Sequence, residues 1–476
     1  MARTPSRPST TRPQGSGTVS DDGPTRVGSR TDAFAELARA RADGAMVLLP
    51  RMLSGLDRRI HVRQTVREDH ENRILTKAVD ASAKFDLMAA SPFAFFRGTC
   101  LLFYRDMAGE DAWMPTVLTL GDVHPGNFGV SPNKDNAPVF GVDDFDEAFY
   151  APFTWDLKRG ATGFLLGAQA AGHGTGTQRR TAESFLRGYL EGMRRYATDL
   201  DETAGQMGLD DAPPMIAAVL EKSAGRSRAH WLAKKYLDEA GRGFAPSERH
   251  EPVTSRVPEF QDLVDRYVEV NDFSAPPRAG SMRVKDVCIR HGQGVASLGL
   301  DRYYVLIEGP AQDGTDDVVV EFKQARRSAL RGLVPPSGFE LEGEGDRVAH
   351  AQRVQLVGGD VFFGAVDTDD NSFMVRERSP YKADVDTGDL SKAGWVEYAG
   401  ICGRVLAQAH ALSDEAGNVD HDVEPAVLAA AAPHDLFVED VVRFAVEAVD
   451  RLHTDHESFR ADHARGAFEQ VDRHYR

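Results

Sequence analysis

The chain contains 476 residues, of which 41% are hydrophobic and 27% are charged. This globular composition excludes a mostly disordered chain, a coiled coil and a collagen-like fibre, and the length predicts two or three domains or one enzyme with two lobes. Lys and Arg number 56 against 73 Asp and Glu, so the net charge is −17. This acidic balance predicts that neither nucleic acid nor an anionic membrane is a partner.

The cysteine content and the apolar runs narrow the class of protein further. The three cysteines, Cys100, Cys288 and Cys402, lie far apart and form no C-x-x-C pair. Their spacing excludes a disulfide framework and a cysteine-type zinc site, and it predicts three small buried side chains. The sequence contains no apolar run of about 18 residues and no secretory signal, so we expect a cytoplasmic protein without a membrane span.

The first part of the chain predicts a tail followed by helices. Residues 1–33 are rich in Ser, Thr, Pro, Gly and Arg, which predicts a disordered tail. Residues 34–280 predict a helical lobe. Its segment SPFAFFRGTCLLFYRDMAG has apolar residues at helical spacing, and Ser91-Pro92 predicts a helix start. Arg97 in this segment is either a buried structural cation or a phosphate contact.

Two loops within this lobe carry residues suited to chemistry. GDVHPGNFG follows the apolar run PTVLTL and contains Asp122, His124 and Asn127, and VDDFDEAF follows a second β-like run and contains Asp144. Phosphoryl transfer requires a carboxylate that orients the acceptor hydroxyl and hard oxygen ligands for Mg²⁺, which carboxylate and amide groups supply. Isolated Asp and Asn residues favour turns in any case, so the joint spacing is what indicates a phosphotransferase site.

Residues 281–386 predict a small β-lobe. Two β-rich runs flank the turn GVASLG, and the strand VVVEFKQA, the helix DRVAHAQRVQLV and two more strands follow. Small residues in the turn let backbone N–H groups approach phosphates, although an ordinary hairpin is the alternative. The turn residues in question are Gly294, Ser297 and Gly299. Lys323 in the next strand is either a solvated edge residue or a phosphate contact.

The last part of the chain, residues 387–476, returns to a helical pattern. WVEYAGICGRVLAQAHALS and DLFVEDVVRFAVEAVDRLH both have periodic apolar faces. We expect these helices to pack on the helical lobe.

The two loops resemble functional segments of known kinases. LGDVHPGNF resembles the catalytic loop of the aminoglycoside-phosphotransferase and choline-kinase-like branch of the protein-kinase superfamily, and VDDFDEA resembles its metal-binding segment. The resemblance implies that Asp122 and His124 are catalytic and that Asn127 and Asp144 bind Mg²⁺. It also implies that ATP is the cofactor bound by Lys323 and the Gly-rich turn. Structural support for the loop is expected from Asp156, in WDLKRG at a helix start, and from Arg97.

Over a longer stretch, roughly residues 90–412, the chain is identified as a member of an uncharacterised bacterial family, domain of unknown function 2252. The segments that carry this resemblance are SPFAFFRGT, GDVHPGNFG, DDFDEAFYAPFTWDLKR, GVASLG, EFKQA, MVRERSPYK and LAQAHA.

The order of the parts determines the predicted fold. In a kinase the Gly-rich loop and its Lys precede the catalytic loop, whereas here they follow it. We therefore predict an α+β, protein-kinase-like two-lobe fold that is circularly permuted, with a small antiparallel β-lobe and a larger helical lobe. Kinases also pair this Lys with a helix Glu. The predicted helix offers no such Glu, which leaves Glu342, Glu344 and Gln352 as alternatives.

Three functions fit this sequence. The first is an ATP-dependent phosphotransferase that acts on the hydroxyl of an unknown small molecule. The second is a nucleotidyl (AMP) transferase on the same fold, and the third is a non-catalytic nucleotide-binding pseudokinase. The sequence leaves the acceptor and the oligomeric state open.

Overall fold

The computed structural model describes residues 29–198, 201–271, 280–292, 298–311, 313–334, 343–415 and 418–469. These residues combine many helices with small antiparallel sheets, which confirms the α+β class. Gly294, Ser297 and residues 1–28 of the predicted tail lie outside the described residues. Within the described part, no helix has both the length and the apolar content needed to cross a membrane. All three cysteines are buried, as predicted.

The described chain begins with a group of helices: α1 (Arg30–Ala42), α2 (Gly55–Asp69), α3 (Glu71–Thr76), α4 (Ala78–Ala90), α5 (Pro92–Gly98) and α6 (Cys100–Asp106). α1 starts before the predicted end of the tail at residue 33, because Ser29 and Asp32 form a capping box that satisfies free backbone N–H groups. Ser91 caps α5 as predicted. The segment that follows divides into two helices at Thr99.

Two short sheets hold the two loops that the sequence singled out. Their strands are β1 (Thr116–Thr119), β2 (Phe128–Pro132), β3 (Pro138–Val142) and β4 (Phe149–Pro152). β1 pairs with β4 and β2 pairs with β3, both antiparallel, and Phe128 lies opposite Val142. The loop that enters β2 and the segment that leaves β3 are therefore neighbours in space.

Four helices follow the short sheets: α7 (Phe153–Ala170), α8 (Thr175–Tyr196), α9 (Pro214–Ala224) and α10 (Arg228–Lys235). α7 is buried along nearly its whole length and belongs to the large hydrophobic core of the helical part. It packs against α8 on one side and against the loop before β2 on the other.

A six-stranded antiparallel sheet forms the second structural unit. Its elements are β5 (His250–Pro252), α11 (Val257–Val270), β6 (Val284–Arg290), β7 (Arg302–Ile307), β8 (Val318–Gln324), α12 (Glu344–Gln355), β9 (Gly364–Asp367) and β10 (Ser372–Glu377). The strand order is β5-β6-β7-β8-β10-β9. β5 and α11 come from the region predicted as the helical lobe. They join the sheet because Phe260, Val264 and Tyr267 of α11 pack into its separate hydrophobic core.

The chain returns to the helical part through β11 (Ala383–Asp384), α13 (Lys392–Ala411), α14 (Val423–Ala430) and α15 (His434–His463). β11 pairs with the free edge of β2. α13 packs along α8, and α15 packs on α7 and α2. The C-terminal helices thus enclose the helices and loops that carry the predicted catalytic residues.

Candidate functional site

Asp122 lies in the loop between β1 and β2, and a buried arginine fixes its carboxylate. Arg159 of α7 donates from Nε and Nη2 to Asp122 Oδ1 at 2.8 and 2.5 Å. The guanidinium is itself held, since it lies over the Phe96 ring, 4.0 Å from its centroid. Burial acts to raise the pKa of Asp122, but the charge of Arg159 outweighs burial and lowers it. Asp122 is therefore an oriented carboxylate, and Arg159 leaves Oδ2 for another partner.

His124 is buried beside this carboxylate. Its Nε2 lies 3.8 Å from Asp122 Oδ2 and 3.0 Å from Arg97 Nε. Its Nδ1 lies 3.0 Å from the Gly126 backbone nitrogen. Burial and the charge of Arg97 lower the pKa of His124 to about 3. The ring is thus neutral near pH 7, which suits it to positioning the loop and not to donating a proton.

Asn127 connects the first loop to the second. Its Nδ2 donates to the Asp122 carbonyl at 2.7 Å, and its own carbonyl accepts from the Asp143 backbone N–H at 3.0 Å. Because the amide nitrogen is used in this way, Oδ1 points away from the Asp122 carbonyl. The two loops are consequently held together by backbone bonds at the point where β2 and β3 meet.

The acidic segment after β3 is neutralised by two lysines from distant parts of the chain. Lys382 pairs with Asp143, and Lys323 pairs with Asp146. Asp144 lies between them and accepts a hydrogen bond from the Asp146 backbone N–H at 3.3 Å. Burial and the neighbouring charge of Asp146 raise the pKa of Asp144. A partly buried carboxylate with a raised pKa would gain from a bound cation.

Asp144 and Asn127 fit the requirements of a Mg²⁺ site. Both offer oxygen ligands, which Mg²⁺ prefers, and the Asp143–Asn127 backbone bond brings the two residues to the same end of β2 and β3. The lysine contacts occupy Asp143 and Asp146, which leaves the Asp144 carboxylate and Asn127 Oδ1 as the oxygen atoms of the two loops that could hold a metal ion.

Lys323 lies in β8 and reaches from the sheet to the helical part. Its Nζ donates to Asp146 Oδ2, and its side chain is only 5% exposed. Lys323 is therefore not a solvated edge residue. It also makes no ion pair with Glu321, which lies two residues earlier in the same strand. Glu321 contacts three arginines instead, namely Arg302, Arg376 and Arg378.

None of the described alternatives for a helix partner contacts Lys323. Glu344 pairs with Arg331 and Arg347 at the start of α12. Gln352 is buried further along α12, and both atoms of its side-chain amide lack a hydrogen-bond partner among the described residues. Glu342 lies outside the described residues.

Asp156 supports the first loop from the start of α7. Its Oδ2 and Oδ1 accept from the backbone N–H groups of Leu120 and Gly121 at 2.6 and 3.0 Å. His410 of α13 lies 3.1 Å from the same carboxylate. Gly121 has φ +83°, and a Cβ there would lie 2.3 Å from the Glu147 carbonyl oxygen, so this corner of the loop requires glycine.

Gly299 ends the predicted Gly-rich turn and has φ +80°. It lines an open pocket of about 490 Å³ between the junction of α3 and α4 and the ends of β6 and β7. Arg302, three residues later, is the register partner of Lys323. The end of the turn and Lys323 therefore lie at the same end of the neighbouring strands β7 and β8.

Arg159 and Lys382 hold the site together, and no sequence pattern predicted their roles. Arg159 follows Asp156 in the segment WDLKRG, and Lys382 ends the segment MVRERSPYK. Both segments stood out as family-like, which was the available signal. Their partners are distant in sequence, so spacing did not reveal their contacts.

The comparison with known families identifies the chain only at the family level. The profile of the family DUF2252, described as an uncharacterized protein conserved in bacteria, matches residues 78–462. The chain therefore belongs to this family, as predicted, and the match extends beyond the segments that carried the resemblance. No curated protein and no solved structure gives a significant match.

Proposed function

We propose that the chain is an ATP- and Mg²⁺-dependent phosphotransferase with a kinase-like, circularly permuted two-lobe arrangement, acting on the hydroxyl of a small molecule. One observation carries the proposal: a continuous series of contacts joins the Asp122 loop, the acidic segment and the lysine strand. Asn127 bonds to the Asp122 carbonyl and to the Asp143 N–H, and Lys323 pairs with Asp146.

The order of elements in the sheet supports the same proposal. The β6–β7 hairpin with the Gly-rich turn, the lysine strand β8 and the helix α12 follow one another as they do in kinases. In kinases this unit precedes the catalytic loop, whereas here it follows. Phosphoryl transfer depends on how groups converge in space, so a rearranged chain order is compatible with the chemistry.

Each residue has a defined part in the proposed reaction. Asp122 stays ionised because of Arg159, and its Oδ2 accepts a hydrogen bond from the acceptor hydroxyl and then its proton. Asp144 and Asn127 hold Mg²⁺, which when bound supplies charge stabilisation at the phosphates. Lys323 exchanges Asp146 for a phosphate oxygen, and neutral His124 keeps the loop in place.

Calorimetric titration of ATP with and without Mg²⁺ tests the proposal. We expect Mg²⁺-dependent binding to the intact chain, and we expect Lys323→Met to weaken it about tenfold, or about 1.4 kcal/mol. Asp122→Asn should retain binding and lose turnover. The matched control is Asp435→Asn, since the Asp435 side chain is 88% exposed and lies on α15. Absence of binding at millimolar ATP contradicts the proposal.

Product analysis distinguishes the proposed phosphoryl transfer from the two alternatives, nucleotidyl transfer and binding without catalysis. Release of ADP together with a phosphorylated acceptor supports phosphoryl transfer, whereas release of pyrophosphate indicates nucleotidyl transfer. Binding without any product across a broad screen of acceptors indicates a pseudokinase.

A further inference from the structure

An open pocket outside the candidate site lies between α1, α2, α6 and the loop that follows β8. Its cavity volume is about 210 Å³, and its walls include Phe34, Glu68, Asp69, Leu101 and several residues of that loop. The proposed phosphotransferase reaction does not use this pocket.

Positive charge dominates the lining. Two acidic residues, Glu68 and Asp69, face four arginines: Arg105, Arg326, Arg327 and Arg331. The chain as a whole carries a net charge of −17. A concentration of guanidinium groups on so acidic a protein creates a local field that attracts anions.

Three of the four arginines have carboxylate partners, and for Arg331 this partner is Glu344. Glu68 is shared between Arg30 and Arg105, and Asp69 pairs with Arg326. Arg105 is 2% exposed, yet its Nε has no hydrogen-bond partner in the described part of the chain. Burial lowers the pKa of Arg105 even though Glu68 acts to raise it.

Arg327 is the least compensated of the four arginines. Its Nη2 donates only to the Arg331 carbonyl at 3.0 Å, and within the described ranges no carboxylate lies at ion-pair distance. Asp32 and Glu344 attract it from farther away, whereas burial and the charge of Arg331 lower its pKa. Arg327 and Arg331 are exposed, so their guanidinium groups lie on the solvent side of the pocket, where an anion can reach them.

We propose that this pocket binds the phosphoryl group of a small organic phosphate. Several guanidinium groups around one space favour a multiply charged oxyanion, because each planar fork can donate two hydrogen bonds to it. Phe34 and Leu101 supply an apolar wall for the organic part of the ligand. The charge of the lining thus favours the phosphoryl group, and the apolar wall contacts the organic part of the ligand.

The pocket is joined to the acidic segment of the candidate site through Glu147. Arg326 pairs with this carboxylate, Ala329 N–H donates to it at 2.6 Å, and Ser328 Oγ donates to the Glu147 carbonyl at 2.8 Å. Glu147 directly follows Asp146, the partner of Lys323. The arginine loop and the acidic segment are therefore in direct contact through Glu147.

Calorimetric titration of inorganic pyrophosphate without Mg²⁺ tests this site independently of the proposed reaction. We expect binding to the intact chain that Arg327→Gln weakens about tenfold, as expected for the loss of one charged hydrogen-bonding group. The matched control is Arg179→Gln on α8, whose side chain is 51% exposed and pairs with Glu183. The control should bind pyrophosphate as the intact chain does.

Arg331→Gln provides a second variant, with the same direction of effect expected, and circular dichroism verifies that each variant is folded. Absence of binding at millimolar pyrophosphate overturns the proposal. Equal binding by the intact chain and both arginine variants also overturns it. Loss of binding in Lys323→Met alone would assign the anion to the lysine strand instead, which contradicts this pocket while leaving the proposed phosphotransferase site intact.

Discussion

Lys323 and Asp146 form an ion pair across 177 residues of sequence, and this pair joins the six-stranded sheet to the helical part. The lysine side chain is 5% exposed and the aspartate side chain 22%. Burial acts to raise the pKa of Asp146, but the charge and hydrogen bond of Lys323 prevail and lower it. The pair therefore stabilises the fold at pH values above the pKa of an ordinary aspartate. This stabilisation is lost as the pH falls through the lower pKa that Asp146 has in the folded chain.

Removing one partner of this pair should destabilise the fold. Lys323→Met leaves Asp146 without its cation, and we expect a loss of about 2 kcal/mol in the free energy of unfolding, less than for a fully buried pair. Urea unfolding measures the change. Lys323→Met combined with Asp146→Asn should recover part of the loss, because the unpaired charge is gone.

The control for this prediction is Lys77→Met, which breaks the Lys77–Asp301 pair. Those side chains are 34% and 32% exposed. Such a pair contributes less than about 1 kcal/mol. Equal losses for the two lysine variants would show that the Lys323–Asp146 pair has no special role in joining the two parts.

Asp156→Asn should loosen the loop that carries Asp122. The carboxylate accepts from two backbone N–H groups, those of Leu120 and Gly121, and an amide replaces one acceptor by a donor that opposes an N–H. We expect a loss of about 2 kcal/mol in unfolding free energy. Asp435→Asn, on an exposed face, should change it by less than about 0.5 kcal/mol. A stable Asp156→Asn variant would mean that the loop is held by other contacts.

Gly403→Ala should disrupt the packing of α13 on α8. A Cβ at Gly403 would lie 2.0 Å from the Phe185 carbonyl oxygen, and one at Gly188 would lie 2.2 Å from the Gly400 carbonyl oxygen. The two helices thus touch through their backbones, and an added methyl group should cost about 3 kcal/mol. Thermal unfolding measures the change.

Gly394→Ala is the matched control on the same helix. A Cβ at Gly394 would meet only side-chain atoms, the nearest at 3.3 Å from Leu390, and alanine has the higher helix propensity. We expect little loss or a small gain in stability. Similar behaviour of the two glycine variants would contradict the close backbone contact.

Glu424→Gln should change how stability depends on pH. Burial, assisted by Asp422 and Asp414, raises the pKa of Glu424 to about 7 from an ordinary 4.5. Because the folded chain holds this proton to higher pH than the unfolded chain does, stability falls as the pH rises from about 4.5 to about 7. The variant lacks this penalty. Its free energy of unfolding should therefore exceed that of the intact chain by more at pH 8 than at pH 5.

Urea unfolding at pH 5, 6 and 8 measures this difference. Glu457→Gln on the exposed face of α15 is the control and should show no pH-dependent gain. A Glu424→Gln gain that is equal at all three pH values would show that the carboxyl does not titrate in this range.

Local sequence patterns were sufficient to predict the parts of the protein that depend on neighbouring residues. Alternating apolar runs and Gly-rich turns predicted the strands at 284–290, 302–307 and 318–324, and the Ser91 cap predicted the start of α5. The loops around Asp122 and Asp144 stood out for the same reason, since each motif lies within one short segment. The segments that identified the family are also local.

Contacts between residues far apart in the chain could be identified from the three-dimensional fold alone. Arg159 pairs with Asp122, and Lys382 pairs with Asp143. Lys323 pairs with Asp146 and not with a glutamate of a helix. β5 and α11 join the sheet although they precede the predicted boundary at residue 281, because the apolar face of α11 completes the core of the sheet. Each of these choices depends on packing and charge between segments far apart in the chain, and no local pattern specifies such contacts.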